Sequence, residues 1–171
     1  MSKHILIVYA TRAGSTVEVA QVIGEVLGGR GFEVQIKSVK ENPAVDGYQA
    51  VIIGSAIRMG NWLPEVVDFL RKNQPKLSQI PTAIFTCHRL NTGEDAASRA
   101  AREAYSAPIR QIVSPQAEAF FSGTLDHAKL NFVDRMLAQA VEKSTLTPAG
   151  DFRDWPRIRS WAQTVFDEER P

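Results

Sequence analysis

Cysteine is nearly absent from this chain of 171 residues: Cys87 stands alone, so no internal disulfide can form and packing has to hold the fold. A lone thiol fits a reducing compartment. No apolar run approaches the ~20 residues that a membrane span needs. Met1-Ser2-Lys3-His4 passes straight into an apolar run without a leader's features. The expected location is the cytoplasm, with peripheral membrane contact left open. Neither sign of charge dominates, since twenty basic residues against nineteen acidic ones leave a net charge of +1. With no basic block and no interleaving of basic and aromatic residues, a nucleic-acid partner is excluded. Histidine is scarce too. His4, His88 and His127 are scattered without metal-ligand spacing, which excludes a metal site, and no Ser-His-Asp or Cys-His arrangement points to a side-chain nucleophile.

What remains is ordinary for a globular protein: 44% of residues are apolar and 23% charged. The length suits one domain over 1–171. Strand-like runs alternate with helical spacing, the signature of a parallel sheet covered on both faces. Ile5 to Tyr9, Ala50 to Gly54 and Thr82 to Cys87 read as buried strands, Phe32 to Ile36 as an edge strand, and Ala117 to Ser122 as the fifth. Val19, Val22, Ile23, Val26 and Leu27 mark the first helix, which stops at Gly28-Gly29-Arg30-Gly31. Asn61 is the expected cap of the second, with Pro64 in its first turn and Val66, Val67, Phe69 and Leu70 facing the core. A capping box at Thr92 to Asp95 opens a third, whose Ala96, Ala97, Ala100, Ala101 and Ala104 are expected to pack closely on the sheet. An extra helix, Ala128 to Lys143, precedes the last one, Trp155 to Asp167. Leu130, Val133, Leu137 and Val141 are expected on the sheet, leaving Phe132 and Met136 for another surface. The expected fold is a doubly wound α/β domain with a five-stranded parallel sheet, order 2-1-3-4-5.

In such sheets ligands bind beyond the carboxyl ends of the strands, at the switch point between strands one and three. The loop after strand one is Thr11-Arg12-Ala13-Gly14-Ser15-Thr16. It combines a helix N-terminus, a glycine and hydroxyl donors, which suits an anion. No lysine lies between Lys3 and Lys37, so it is not a nucleoside-triphosphatase loop, and it lacks the G-x-G-x-x-G of dinucleotide sites. A helix cap of small residues that binds nothing is the alternative reading. Response-regulator receivers, which share this topology, need acidic residues after strand one and an Asp ending strand three. Tyr9-Ala10-Thr11 and Gly54-Ser55 occupy those places.

With Ala13 at its third place, the loop resembles the T-x-[TS]-G-x-T phosphate loop of the flavodoxin family. The cofactor this implies is FMN. The two other loops at the ligand face, Ser55-Ala56-Ile57-Arg58-Met59-Gly60-Asn61-Trp62 and Cys87-His88-Arg89-Leu90, offer the apolar walls and backbone donors that an isoalloxazine needs. Met59 and Trp62 are candidates for one wall, His88 or Leu90 for the other. For Met59 gap-filling and for Trp62 a core position are the competing readings. Arg58 and Arg89 would balance a reduced flavin or hold a substrate carboxylate, or else are solvated surface arginines. Cys87, ending a buried strand, reads as an inert thiol.

Ala10 to Thr16 and Val51 to Gly60 look like the two signature stretches of the menaquinone-dependent protoporphyrinogen oxidase group. Ser122 to Leu125, Phe132 to Met136 and Asp154-Trp155 are similar to later segments of that group. The resemblance implies an FMN-dependent oxidoreductase that oxidises a porphyrinogen and passes electrons to quinone, with a redox protein as a further conceivable partner. A non-catalytic flavodoxin electron carrier is the alternative. Such carriers are strongly acidic, and this chain is not.

Overall fold

The computed structural model describes residues 3–12, 14–125, 132–145, 150–151 and 153–167. Five parallel strands form the centre: β1 (His4–Ala10), β2 (Glu33–Ser38), β3 (Ala50–Arg58), β5 (Thr82–His88) and β6 (Ala117–Ser122), in the order β2-β1-β3-β5-β6. This is the expected order, with the fourth and fifth strands of the sequence reading appearing as β5 and β6. Ile7 pairs with Ile36 on one side and Ile52 on the other.

Alternate residues of these strands feed two cores. Ile5, Ile7 and Ile52 pack with Ile23 and Leu27 of α1 (Ser15–Gly29) and with Ile158 and Ala162 of α5 (Trp155–Thr164). Leu6, Val8, Val51 and Ile53 pack on the other face with Val66 and Leu70 of α2 (Pro64–Leu77) and Ile109 of α3 (Ala96–Arg110). Because both faces are covered, β1 needs an unbroken apolar run rather than an alternating one.

The segment after strand three departs from the expected loop. β3 continues to Arg58, reverses at Met59 and Gly60, and returns as β4 (Asn61–Trp62), antiparallel to β3 with Ile57 opposite Trp62. Met59 (φ 53°) and Gly60 (φ 77°) both adopt positive φ, the geometry that a two-residue hairpin turn requires. Asn61 therefore does not cap α2. Its amide donates back to the Met59 carbonyl at 3.0 Å, and α2 starts after Leu63 with Pro64 in its first turn.

On α3 the cap is Asp95, which accepts from the Ser98 amide at 2.9 Å. The alanines expected on the sheet are exposed or half-buried, and Tyr105, Ser106 and Ile109 make the buried face instead. Methyl groups bury little area, so the larger residues of the C-terminal half decide how the helix lies. The extra helix, α4, spans Phe132–Thr145. Its Val133 is 59% exposed rather than packed on the sheet, while Asp134 beside it is buried. Leu130 lies outside the described residues. A short antiparallel pair, β7 (Thr124–Leu125) with β8 (Gly150–Asp151), flanks α4 in sequence. Arg30 closes the end of α5 by donating to the carbonyls of Ala162 and Val165, both at 2.8 Å.

Candidate cofactor site

The carboxyl ends of β1, β3 and β5 carry the three loops singled out by the sequence. In the first, Gly14 sits at φ 86° and its amide donates to Thr11 Oγ1 at 3.0 Å, which folds the loop back on itself. Ala13 lies outside the described residues. Asp95 and Asp154 cap α3 and α5 with side-chain oxygens, whereas α1, like α2 after Leu63, has no side-chain cap. Ser15 and Thr16, its first two residues, are buried. The Thr16 hydroxyl faces the Cys87 thiol, yet its oxygen has no well-formed hydrogen bond. An uncapped first turn and an unsatisfied buried hydroxyl are the donor set that a phosphate monoester would use.

Gly123, which follows β6, completes the floor. A methyl group there would lie 3.4 Å from Ser15 Oγ and 3.7 Å from the His88 carbonyl, and the Gly123 amide donates to that carbonyl at 2.7 Å. The sequence placed Gly123 in a stretch similar to the oxidase group, but not among the site residues.

Arg12 is engaged with α2. Its guanidinium forms a two-pronged ion pair with Glu65 in the first turn of α2, with Nη2 to Oε2 at 3.0 Å. The hydrogen bond from Arg12 lowers the Glu65 pKa, and Glu65, with help from Asp134, raises that of Arg12. Arg58 is held in a similar way: its Nε donates to Asp134 Oδ1 at 2.6 Å, which brings the start of α4 against the hairpin. It is not a freely solvated arginine.

Ser55 bridges two elements. Its hydroxyl donates to the Ala56 carbonyl at 2.7 Å and accepts from the Leu63 amide at 3.0 Å, tying β3 to the start of α2. Trp62 is buried with its indole N–H on Thr86 Oγ1 at 3.0 Å, the core position weighed for it above. Ala56 and Ile57 are half-buried where β3 nears the turn. Met59 fills no gap, being 74% exposed at the hairpin tip.

On the third loop the Cys87 thiol is buried, and desolvation pushes it up to about 12, so it stays protonated. His88 is buried between Tyr105 and Phe120, its ring centroid 6.0 and 6.3 Å from theirs. Burial lowers its pKa, which keeps the imidazole neutral at neutral pH. Nδ1–H then donates to the Leu90 carbonyl at 2.8 Å, leaving Nε2 as an acceptor. Arg89 and Leu90 are half-buried. The loop continues to Asn91 and Gly93, whose carbonyls both accept from Arg102 Nη1 at 2.6 Å. Among the described residues no His, Cys, Asp or Glu cluster could hold a metal.

A family profile described as a flavodoxin domain matches residues 6–149. The chain belongs to this flavodoxin-domain family. The chain is also 22% identical over 168 residues to the Escherichia coli (strain K12) protein named protoporphyrinogen IX dehydrogenase [quinone], covering 94% of this chain and 93% of that one. A Leishmania major protein of the same name is 27% identical over 172 residues, covering 94% and 74%. In fold, this flavodoxin domain superposes on the two-electron reduced flavodoxin of Megasphaera elsdenii with a TM-score of 0.56, at 15% identity and with 94% and 97% coverage. Membership agrees with the FMN expectation, and the loop before α1 fits the phosphate of that cofactor.

Proposed function

We propose that the protein is an FMN-dependent oxidoreductase that oxidises a porphyrinogen and delivers the electrons to a quinone. The uncapped start of α1, with the unsatisfied Thr16 hydroxyl beside it, carries the cofactor half of this reading. Thr11, Gly14, Ser15 and Thr16 would hold the phosphate with neutral donors. The β3–β4 hairpin, from Ala56 to Asn61, and the Cys87–Leu90 loop would flank the ring. FMN, when bound there, supplies the two-electron chemistry, and no side-chain nucleophile is called for.

The substrate half is supported by the names of the two relatives and by the surface beside the hairpin. Met59, Phe132, Val133 and Met136 are exposed there, an apolar rim suited to a tetrapyrrole or a quinone. Arg58, at the edge of that rim, would meet a substrate carboxylate. No helix among the described residues is long and apolar enough to cross a membrane. We place the activity in the cytoplasm, with the quinone met at the membrane surface.

The test is stepwise. Apoprotein is titrated with FMN while flavin fluorescence is followed, then reduced anaerobically and mixed with a quinone. In a separate anaerobic vessel the oxidised holoprotein is mixed with porphyrinogen and at least three equivalents of quinone, which takes up the six electrons released. Binding, rapid reoxidation by quinone and porphyrin formation are expected. Unchanged fluorescence would refute the cofactor reading. Binding with unchanged porphyrinogen and sluggish reoxidation would make the protein a carrier.

A further inference from the structure

Glu18 lies in the first turn of α1, one turn below the loop that precedes this helix. Helical residues three and four apart share a face, and side chains lean toward the helix N-terminus. Glu18 therefore shares a face of α1 with Gly14 and Ser15, which puts a carboxylate within one turn of the place a phosphate would take. A free carboxylate there opposes a dianion, which makes Glu18 an odd residue for a phosphate-binding helix.

The chain supplies the answer from 135 positions away. Arg153, between β8 and α5, donates from Nη1 to Glu18 Oε2. The rest of its guanidinium is fixed by Asp151, with Nε to Oδ1 at 2.8 Å and Nη2 to Oδ2 at 2.5 Å, and Cζ stands 4.6 Å from the centre of the Trp155 ring. The Arg153 side chain is only 10% exposed. One rigid, desolvated cation thus faces two carboxylates, with the helix-start carboxylate as one of them.

We propose that Arg153 is a positioning residue for FMN that acts through Glu18, cancelling the carboxylate that would otherwise repel the flavin phosphate. The inference rests on the FMN reading above. It assigns Arg153, ahead of α5, a role in cofactor affinity through its ion pair with α1. Asp151 shares the cation, so loss of Arg153 leaves both Glu18 and Asp151 without it.

Riboflavin, which lacks the phosphate, separates charge from packing. Apoprotein is titrated with FMN and with riboflavin at low salt and at ~0.5 M salt, where the Debye length shrinks to about 4 Å. Arg153→Gln is expected to weaken FMN about fivefold at low salt and clearly less at high salt, with riboflavin unchanged. Glu18→Gln, which leaves the partly exposed surface of α1 intact, should tighten FMN by about threefold, again without effect on riboflavin. The double variant should return close to the wild-type FMN affinity. Equal weakening of both ligands by Arg153→Gln, or an unchanged FMN affinity in Glu18→Gln, would overturn the inference while leaving the FMN reading intact. Wild-type protein that fails to bind FMN would instead remove the functional reading and this inference with it. If Arg153→Gln does not fold, Glu18→Gln alone decides.

Discussion

Arg58 Nε and Asp134 Oδ1 lie 2.6 Å apart although 76 positions separate them in the chain. One comes from the end of a central strand and the other from the first turn of the helix that a minimal flavodoxin fold does not need. The pair fixes that helix beside the hairpin, and with it the apolar residues Phe132 and Met136.

Asp134→Asn is expected to loosen α4 without unfolding the sheet. Asp134 is nearly buried but Arg58 is 39% exposed, so solvent screening holds the loss of global stability to about 1 kcal/mol. Urea unfolding would measure that loss, and hydrogen exchange should show faster exchange confined to α4. Unchanged exchange in α4 would mean that other contacts hold the helix.

Thr16→Val removes a buried hydroxyl that lacks a well-formed bond. The fold should be retained, or slightly stabilised, because no satisfied donor is lost. FMN affinity should fall about tenfold, ~1.4 kcal/mol, if the hydroxyl serves the phosphate. Circular dichroism and fluorescence titration together check both halves. An FMN affinity equal to that of the wild type would place the phosphate elsewhere.

His88 predicts an acid-side loss of stability. Burial lowers its pKa in the folded chain below the ordinary 6.5. Between those two values the unfolded chain binds a proton that the folded chain does not, so stability rises with pH in that window. Stability should be fully present above pH 6.5 and decline as pH falls from there toward the lowered folded value. His88→Asn should remove this slope. Urea unfolding at several pH values, with an NMR titration of the ring, is the measurement, and a His88 ring that titrates at or above 6.5 would contradict the assignment.

Gly54→Ala should be severe. The added methyl carbon would lie 2.0 Å from Phe85 Cζ, inside a ring that is fully buried at the sheet centre. Neither β3 nor β5 can move away from the other without breaking their ladder, so a loss of about 3 kcal/mol or more is expected. A thermal melt within a few degrees of the wild type would show that Phe85 can repack.

The sheet, its order and the three loops at its carboxyl edge were legible in the sequence. Continuous apolar runs, helical spacing and glycine or proline stops are local signals, and the topology rules for parallel sheets turn them into one arrangement. The strand-one loop was legible for the same reason, since its glycine and hydroxyls act on neighbouring backbone. The β3–β4 hairpin was not. Met59 rather than a glycine takes one of the two positive-φ places, so the usual turn signal is missing.

The partners of the arginines belong to tertiary structure alone. Arg12 with Glu65, Arg58 with Asp134 and Arg153 with Glu18 are separated by 53, 76 and 135 positions. Composition shows only that charges of both signs are available, and nothing local tells which cation meets which carboxylate. The way α3 lies was also a matter of tertiary packing, because Tyr105 and Ile109 outweighed a stripe of alanines that has little area to bury. Local pattern thus determined where a ligand would sit. Long-range packing decided which charges surround it, since those depend on segments far apart in the chain that only the tertiary fold brings together.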